Sequence, residues 1–141
     1  MGKDRFKFII AVYLMLIEDG KILLLRRFNT GYEDGNYSLV AGHVDEGESF
    51  KEAIIREAKE EAGIEIDLKD IEVAHIMQRI PLGRVSVFLT AKKWSGEIKN
   101  MEPEKCDDLS WFDIDNLPEN TIPYIREAIE NYRKNILYSE D

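Results

Sequence analysis

The chain is poor in the residues that staple, punctuate or anchor small proteins. With one cysteine, Cys106, in 141 residues, an internal disulfide framework and a CxxC-type zinc site are excluded, and a reducing, cytoplasmic setting is expected. The two histidines, His43 and His75, lack the close pairing that metal-binding histidines show. Only four prolines and nine glycines occur, with no repeat and no Pro/Ser-rich linker, so one domain over residues 1–141 is expected. Positive charge is scarce as well: 19 Lys and Arg against 28 Asp and Glu give a net charge of −9. That balance argues against general electrostatic binding to a nucleic-acid polymer or an anionic membrane. A long hydrophobic run is also missing. Residues 8–17 are apolar and follow Lys3, Arg5 and Lys7, but they are too few to span a bilayer and no small-x-small cleavage site follows. They read as a buried strand. Gly2 stands where a myristoylation signal would begin, yet Phe6 occupies the position that needs Ser or Thr. A chain this acidic that handles phosphates requires a metal.

What is present is patterned for a mixed α/β core, filled from a sequence that is 44% hydrophobic. The runs 8–17 and 22–25 flank Glu18-Asp19-Gly20-Lys21, and an Asp-Gly between apolar runs predicts a hairpin. Residues 28–36 are rich in turn formers and precede a short strand near 37–40. A Gly- and acid-rich loop covers 41–48. Ser49-Phe50-Lys51-Glu52 fits a capping box and Gly63 supplies a stop, which predicts a helix over about 50–62. Residues 71–79 and 84–93 read as strands around the turn Pro81-Leu82-Gly83-Arg84, and 109–112 as a further short one. Ile122, Ile125, Ile129, Tyr132 and Ile136 recur at helical spacing after Pro123, which predicts a closing amphipathic helix. The expected class is α/β in the α+β sense, a mixed sheet sandwiched between helices.

Chemistry concentrates on the first helix. At about 100° per residue, Glu60 and Glu61 fall to either side of Glu57, so three carboxylates share one face. Ile54, Ile55, Ala58 and Ala62 form a neighbouring face that can pack on a sheet. Like charges at these spacings destabilise a helix by about 0.2–0.5 kcal/mol per pair, and a hard cation reverses the effect. All-oxygen ligands suit Mg²⁺ or Mn²⁺, ions that bridge carboxylates to substrate phosphates. Taken alone, the same pattern also describes a solvated acidic helix face.

The whole segment from Gly42 to Ile64 resembles the Nudix box, G-x5-E-x7-R-E-U-x-E-E-x-G-U with U aliphatic. It matches at every specified position: Gly42, Glu48, Arg56, Glu57, Glu60, Glu61 and Gly63 at the fixed letters, Ala58 and Ile64 at the aliphatic ones. The resemblance implies the Nudix fold and hydrolysis of a nucleoside diphosphate linked to a further group X, with Mg²⁺ as cofactor and Mn²⁺ as a substitute. It assigns Glu57 and Glu61 as metal ligands, Glu60 as a further ligand or the base acting on water, and Arg56 to orient the glutamates. The Ala41 carbonyl is implied as an additional ligand. Glu48 is expected to tie the loop to the helix. Many relatives supply one more glutamate from a later loop, for which Glu104, then Glu102, is the candidate here.

Substrate contacts lie outside the box. Arg27, Leu39, Gly42 and His43 are the expected ones, with Tyr32, Tyr37, Phe88, Trp111 and Phe112 as further aromatic candidates. Val40-Ala41 stands where many relatives have Pro-Gly. Pro81 matches a proline of ADP-ribose hydrolases, but a hairpin turn explains it equally well. The expected substrate is a nucleoside triphosphate, including oxidised or modified ones, split to monophosphate and pyrophosphate. The alternatives are ADP-ribose, nucleotide sugars or dinucleoside polyphosphates, and, in another class, a nucleotide-sensing module without turnover. A homodimer is compatible with the apolar N-terminal strand and the closing helix.

Overall fold

A computed structural model describes residues 4–141; Gly2 and Lys3 lie outside them. The elements, in chain order, are β1 (Ile9–Met15), β2 (Ile17–Glu18), β3 (Lys21–Arg27), β4 (Tyr37–Ser38), β5 (Val40–His43), α1 (Phe50–Ala62), β6 (Ile71–Arg79), β7 (Arg84–Ala91), β8 (Cys106–Asp113), α2 (Pro123–Arg133) and β9 (Tyr138–Glu140). They form two sheets. The first has the order β5-β1-β7-β6-β9, with β1 parallel to β7 and β9 parallel to β6, and the other pairs antiparallel. In the second, β3 pairs antiparallel with β2, β4 and β8.

Strand alternation explains why helices cover both sides. Successive side chains of a strand point to opposite faces. Val12, Leu14 and Leu16 join Ala53, Ile54, Ala58 and Ala62 of α1 in one buried cluster, whereas Ala11, Tyr13 and Met15 join Ile125, Ala128 and Ile129 of α2 in another. β3 and β7 divide likewise: Leu23 and Val87 face the first cluster, Leu24 and Phe88 the second. A strand buried on both faces shows no apolar/polar alternation, which is why these segments read as continuous apolar runs. The expected mixed sandwich is the observed one.

Four elements differ from their sequence reading, the first being the segment read as a strand at 37–40 and a loop over 41–48, which forms two strands in different sheets, β4 and β5, with β5 running on through His43. The run 8–17 is not one strand: it leaves the first sheet after Met15, and only Ile17–Glu18 forms the hairpin with β3. The turn itself is as expected, with Asp19 and Gly20 at φ 52° and 75°, the left-handed pair that a two-residue hairpin demands. α2 stops at Arg133, so Ile136 lies beyond it, 42% exposed. The chain then turns back as β9 beside β6, an element too short to leave a periodic signal. His75, fully buried, secures this return: its Nδ1 lies 2.8 Å from the Ile136 carbonyl oxygen and its Nε2 2.8 Å from Ser139 Oγ. Both ring nitrogens are occupied, and the residue is structural.

Candidate active site

α1 presents its carboxylates where β5 delivers the Gly42 loop. Its N-terminus is fixed by a complete capping box, with Glu52 N–H donating to Ser49 Oγ and Ser49 N–H to the Glu52 carboxylate, and its C-terminus by Gly63 in the left-handed region at φ 71°. Buried Ala53, Ile54, Ala58 and Ala62 hold the helix on the sheet. Glu57, Glu60 and Glu61 are thereby presented to the cavity beside β5.

Arg56 organises the surroundings. Its Nε and Nη2 donate to the two Glu48 carboxylate oxygens at 2.7 and 3.0 Å, its Nη1 to Glu57 Oε1 at 2.6 Å, and its Nη2 also to the His43 carbonyl at 3.0 Å. Glu48 accepts the Asp45 N–H as well, so one guanidinium and one carboxylate fasten the loop to the helix, as the sequence suggested for Glu48. The Arg56 bonds and the Asp45 amide hold the Glu48 carboxyl down at about 2, and the same pairing with Glu48 pushes the Arg56 guanidinium upward. Such forked pairs fix geometry as well as charge.

The other carboxylates are less comfortable. Burial pushes the Glu61 carboxyl up to about 8, against the pull of the Ala41 N–H that donates to Oε1 at 2.9 Å. Burial also raises Glu57, opposed by Arg56. Gly42 lies directly under Glu57, and a Cβ there would stand 2.2 Å from the Glu57 carboxyl carbon. Only glycine allows the carboxylate this close to the strand.

These groups line one cavity of about 580 Å³, bordered by Arg27, Ala41, His43, Glu57, Glu60, Glu61 and Glu102. Here the structure corrects one expectation. Glu102, not Glu104, reaches the cavity: the Met101 N–H bonds the Glu61 carbonyl and brings the loop onto the C-terminal end of α1, whereas Glu104 sits exposed in the following turn. No spacing rule distinguishes two glutamates two positions apart in a loop. Leu39 is the second correction. It is 1% exposed within the α2-side core and lines no part of the cavity. Cys106 borders the cavity but is buried, its Sγ donating to the Asp108 carbonyl, and burial raises its thiol; it is a passive thiol.

A second compartment of about 210 Å³ adjoins the first, the two sharing Arg27, Ala41 and His43. Gly42 borders it, as do Tyr13, Tyr32, Arg84 and Tyr124. Arg27, Gly42 and His43 thus all lie where a ligand can meet them. Of the aromatic candidates, Tyr32 lines this compartment, while Tyr37 and Phe88 are buried, Phe112 packs edge-on against Tyr37, and Trp111 stacks on Trp94. Arg84 and Tyr124 escape a sequence reading, because a strand's first residue and a helix's first turn carry no mark of facing a cavity.

The donor set fits a hard divalent cation. Four carboxylates face one polar cavity, two of them partly desolvated. Among the described residues no group of three His, Cys, Asp or Glu side chains is drawn together as a metal site; Glu57 is paired with Arg56 and Glu61 with the Ala41 amide instead. Oxygen ligands that leave room for substrate oxygens are what Mg²⁺ uses in phosphoryl chemistry.

A mixed sandwich with box carboxylates around a polar cavity defines a phosphate-handling hydrolase class, and the comparisons place the chain within it. Residues 7–132 match the NUDIX domain model. The chain belongs to the Nudix hydrolases. It is 35% identical over 127 residues to an ADP-ribose pyrophosphatase of Methanocaldococcus jannaschii, covering 89% of this chain and 73% of that one. It is 32% identical over 119 residues to an NAD-capped RNA hydrolase NudC of Stutzerimonas stutzeri, covering 84% of this chain but only 41% of that protein. Among solved structures, a MutT NUDIX hydrolase from Burkholderia pseudomallei superposes with a TM-score of 0.79 at 28% identity, covering 88% of this chain and 97% of that one. A MutT protein from Methanosarcina mazei superposes with a TM-score of 0.75 at 25% identity, covering 94% and 97%. Nudix hydrolases generally require a divalent metal and act on small nucleotide substrates. No helix among the described residues is long and apolar enough to cross a membrane.

Proposed function

We propose that the chain hydrolyses a phosphoric anhydride bond of a nucleoside triphosphate, releasing nucleoside monophosphate and pyrophosphate. The observation that carries this reading is the convergence of Glu57, Glu60, Glu61 and Glu102 on one cavity joined to a second, smaller compartment. The first is suited to a metal and the phosphate chain, and the second, of about 210 Å³, has room for a ring system.

Glu57, Glu61 and Glu102 would hold Mg²⁺, or Mn²⁺ in its place, with the Ala41 backbone beside them. The ion supplies positive charge that offsets the phosphates and polarises their oxygens. Arg56 is a positioning residue: it keeps Glu57 aimed and the Gly42 loop in place. Glu60, with half of its side chain exposed and only a 3.5 Å contact to Arg56, is free to take the proton of the attacking water. Arg27 and His43 stand at the junction of the compartments, where the phosphate chain must pass. Water adds across the P–O–P link, its oxygen to phosphorus, and the leaving phosphate carries the electron pair of the broken bond.

The likeness to an ADP-ribose pyrophosphatase supports a second reading, in which X is a sugar rather than a phosphate. A product-resolved panel separates them. With Mg²⁺, pyrophosphate release from a nucleoside triphosphate is expected; cleavage of nucleotide sugars or ADP-ribose alone would favour the second reading. Binding without turnover of any of them would make the chain a nucleotide sensor.

A further inference from the structure

The cavity of the α1 carboxylates also carries two cations, Arg27 and Lys105, and the fold treats them differently. The Arg27 guanidinium is engaged: its Nε donates to the Tyr32 carbonyl at 2.6 Å and its Nη2 to Thr30 Oγ at 3.0 Å. The Lys105 ammonium enters none of the ion pairs among the described residues, although Glu57, Glu60, Glu61 and Glu102 line the same cavity. Its backbone, in contrast, is fastened on both sides. The Lys105 N–H donates to the Glu102 carbonyl at 2.9 Å, and the Lys105 carbonyl accepts the Phe28 N–H at 2.9 Å. A fixed stem thus carries a free positive charge at the rim of an acidic cavity.

The division of the cavity says which part of a ligand this charge meets. Arg27, Ala41 and His43 line both compartments, whereas Lys105 lines the first alone. With the ring system in the second compartment and the scissile bridge at the carboxylates, Lys105 faces what lies beyond the bridge. In a nucleoside triphosphate that is the terminal phosphate, which near neutral pH carries about 1.5 to 2 negative charges, as a phosphate monoester does. In ADP-ribose or a nucleotide sugar it is an uncharged sugar. An ammonium is a compact point charge with three rotatable donors, suited to a phosphate oxygen and of little use to a sugar hydroxyl.

Resting on the triphosphate-hydrolase reading above, we propose that Lys105 holds the terminal phosphate and sets the preference for a triphosphate over a nucleoside diphosphate sugar. When water adds to phosphorus and the first anhydride link breaks, the second phosphate takes the electron pair. The phosphate at Lys105 then leaves as the outer half of pyrophosphate, so the same contact serves substrate and product.

The test compares substrates that share a base, ATP with ADP-ribose and GTP with GDP-mannose, as kcat/KM with Mg²⁺. Calorimetric binding of the α,β-methylene analogues of ATP and ADP-ribose, and inhibition by inorganic pyrophosphate, accompany it. Lys105→Met keeps the stem and removes the charge. It should lower kcat/KM for the triphosphates by about 10- to 100-fold, the scale of a hydrogen bond to a charged group. The triphosphate analogue and pyrophosphate should weaken similarly, the nucleotide-sugar values should change little, and Lys105→Arg should recover most of the loss. Lys105 is exposed, so the variants should fold, and a ratio of two substrates on one protein is insensitive to the active fraction. An equal loss on both substrate types, or no loss on the triphosphates, overturns the proposal. Lys105-dependent preference for the triphosphate analogue without cleavage would defeat the reaction reading and leave the role of Lys105 standing. Triphosphate cleavage at the wild-type rate by Lys105→Met would do the reverse, and binding and cleavage of nucleotide sugars alone would defeat both.

Discussion

Gly42 and Glu57 couple β5 closely to α1, because the strand backbone and the carboxylate occupy adjoining space. Gly42→Ala should displace Glu57 from its Arg56-held position and lower kcat by about 10²-fold, the scale set by displacing a catalytic group by about 1 Å. Its melting temperature should change little, since a side-chain end can yield. Glu102 gives a sharper contrast. Glu102→Gln should slow turnover and weaken Mg²⁺ activation, whereas Glu104→Gln should match wild type in the same titration. At this scale the shared face of Glu57, Glu60 and Glu61 was legible, because helical periodicity and a capping box are local. Glu102, Leu39 and Arg84 were not, since a loop's approach and a strand's burial depend on distant partners. Leu39 shows this plainly. Ser38 before it and Ala41 two residues on line the second compartment, yet its own side chain points into the α2-side core.

The elements act as mounts. α1 is positioned by its cap, its buried alanines and Ile54, and the loop fastened to it by Glu48 and Arg56. Ser49→Ala removes the side-chain acceptor for the Glu52 N–H and should cost about 1 kcal/mol in denaturant unfolding, with the metal requirement of turnover retained. β1 was recognisable as buried but not as two pieces, because an apolar run records burial and not the point at which the chain changes sheets. β9 left no sequence signal, being three residues defined by pairing with β6 and by the hydrogen bonds of His75.

Across the whole molecule, burial of the site's carboxyls sets a pH dependence of stability. In metal-free protein, Glu61 has a folded value near 8 against 4.5 for the ordinary group. The folded state therefore holds its proton more tightly, and the stability this contributes is complete below about 4.5 and is lost as pH rises through about 8. Thermal melts in chelator should show stability declining over that window, with Glu61→Gln flattening the decline, and added Mg²⁺ should raise the melting temperature. The fold class was legible at this scale because strands buried on both faces require helices on both sides. The substrate was not, since the second compartment is assembled from β1, β3, β5, β7 and α2 together. The central claim is that the Glu57, Glu60, Glu61 and Glu102 cavity performs metal-dependent anhydride hydrolysis. Its most direct test is pyrophosphate release from a nucleoside triphosphate by wild type and Glu61→Gln, each with Mg²⁺ and with chelator. Release by wild type only with Mg²⁺, and a loss of about 10²-fold or more in a folded Glu61→Gln, is the predicted result; equal turnover by the two proteins, or turnover untouched by chelator, would contradict it.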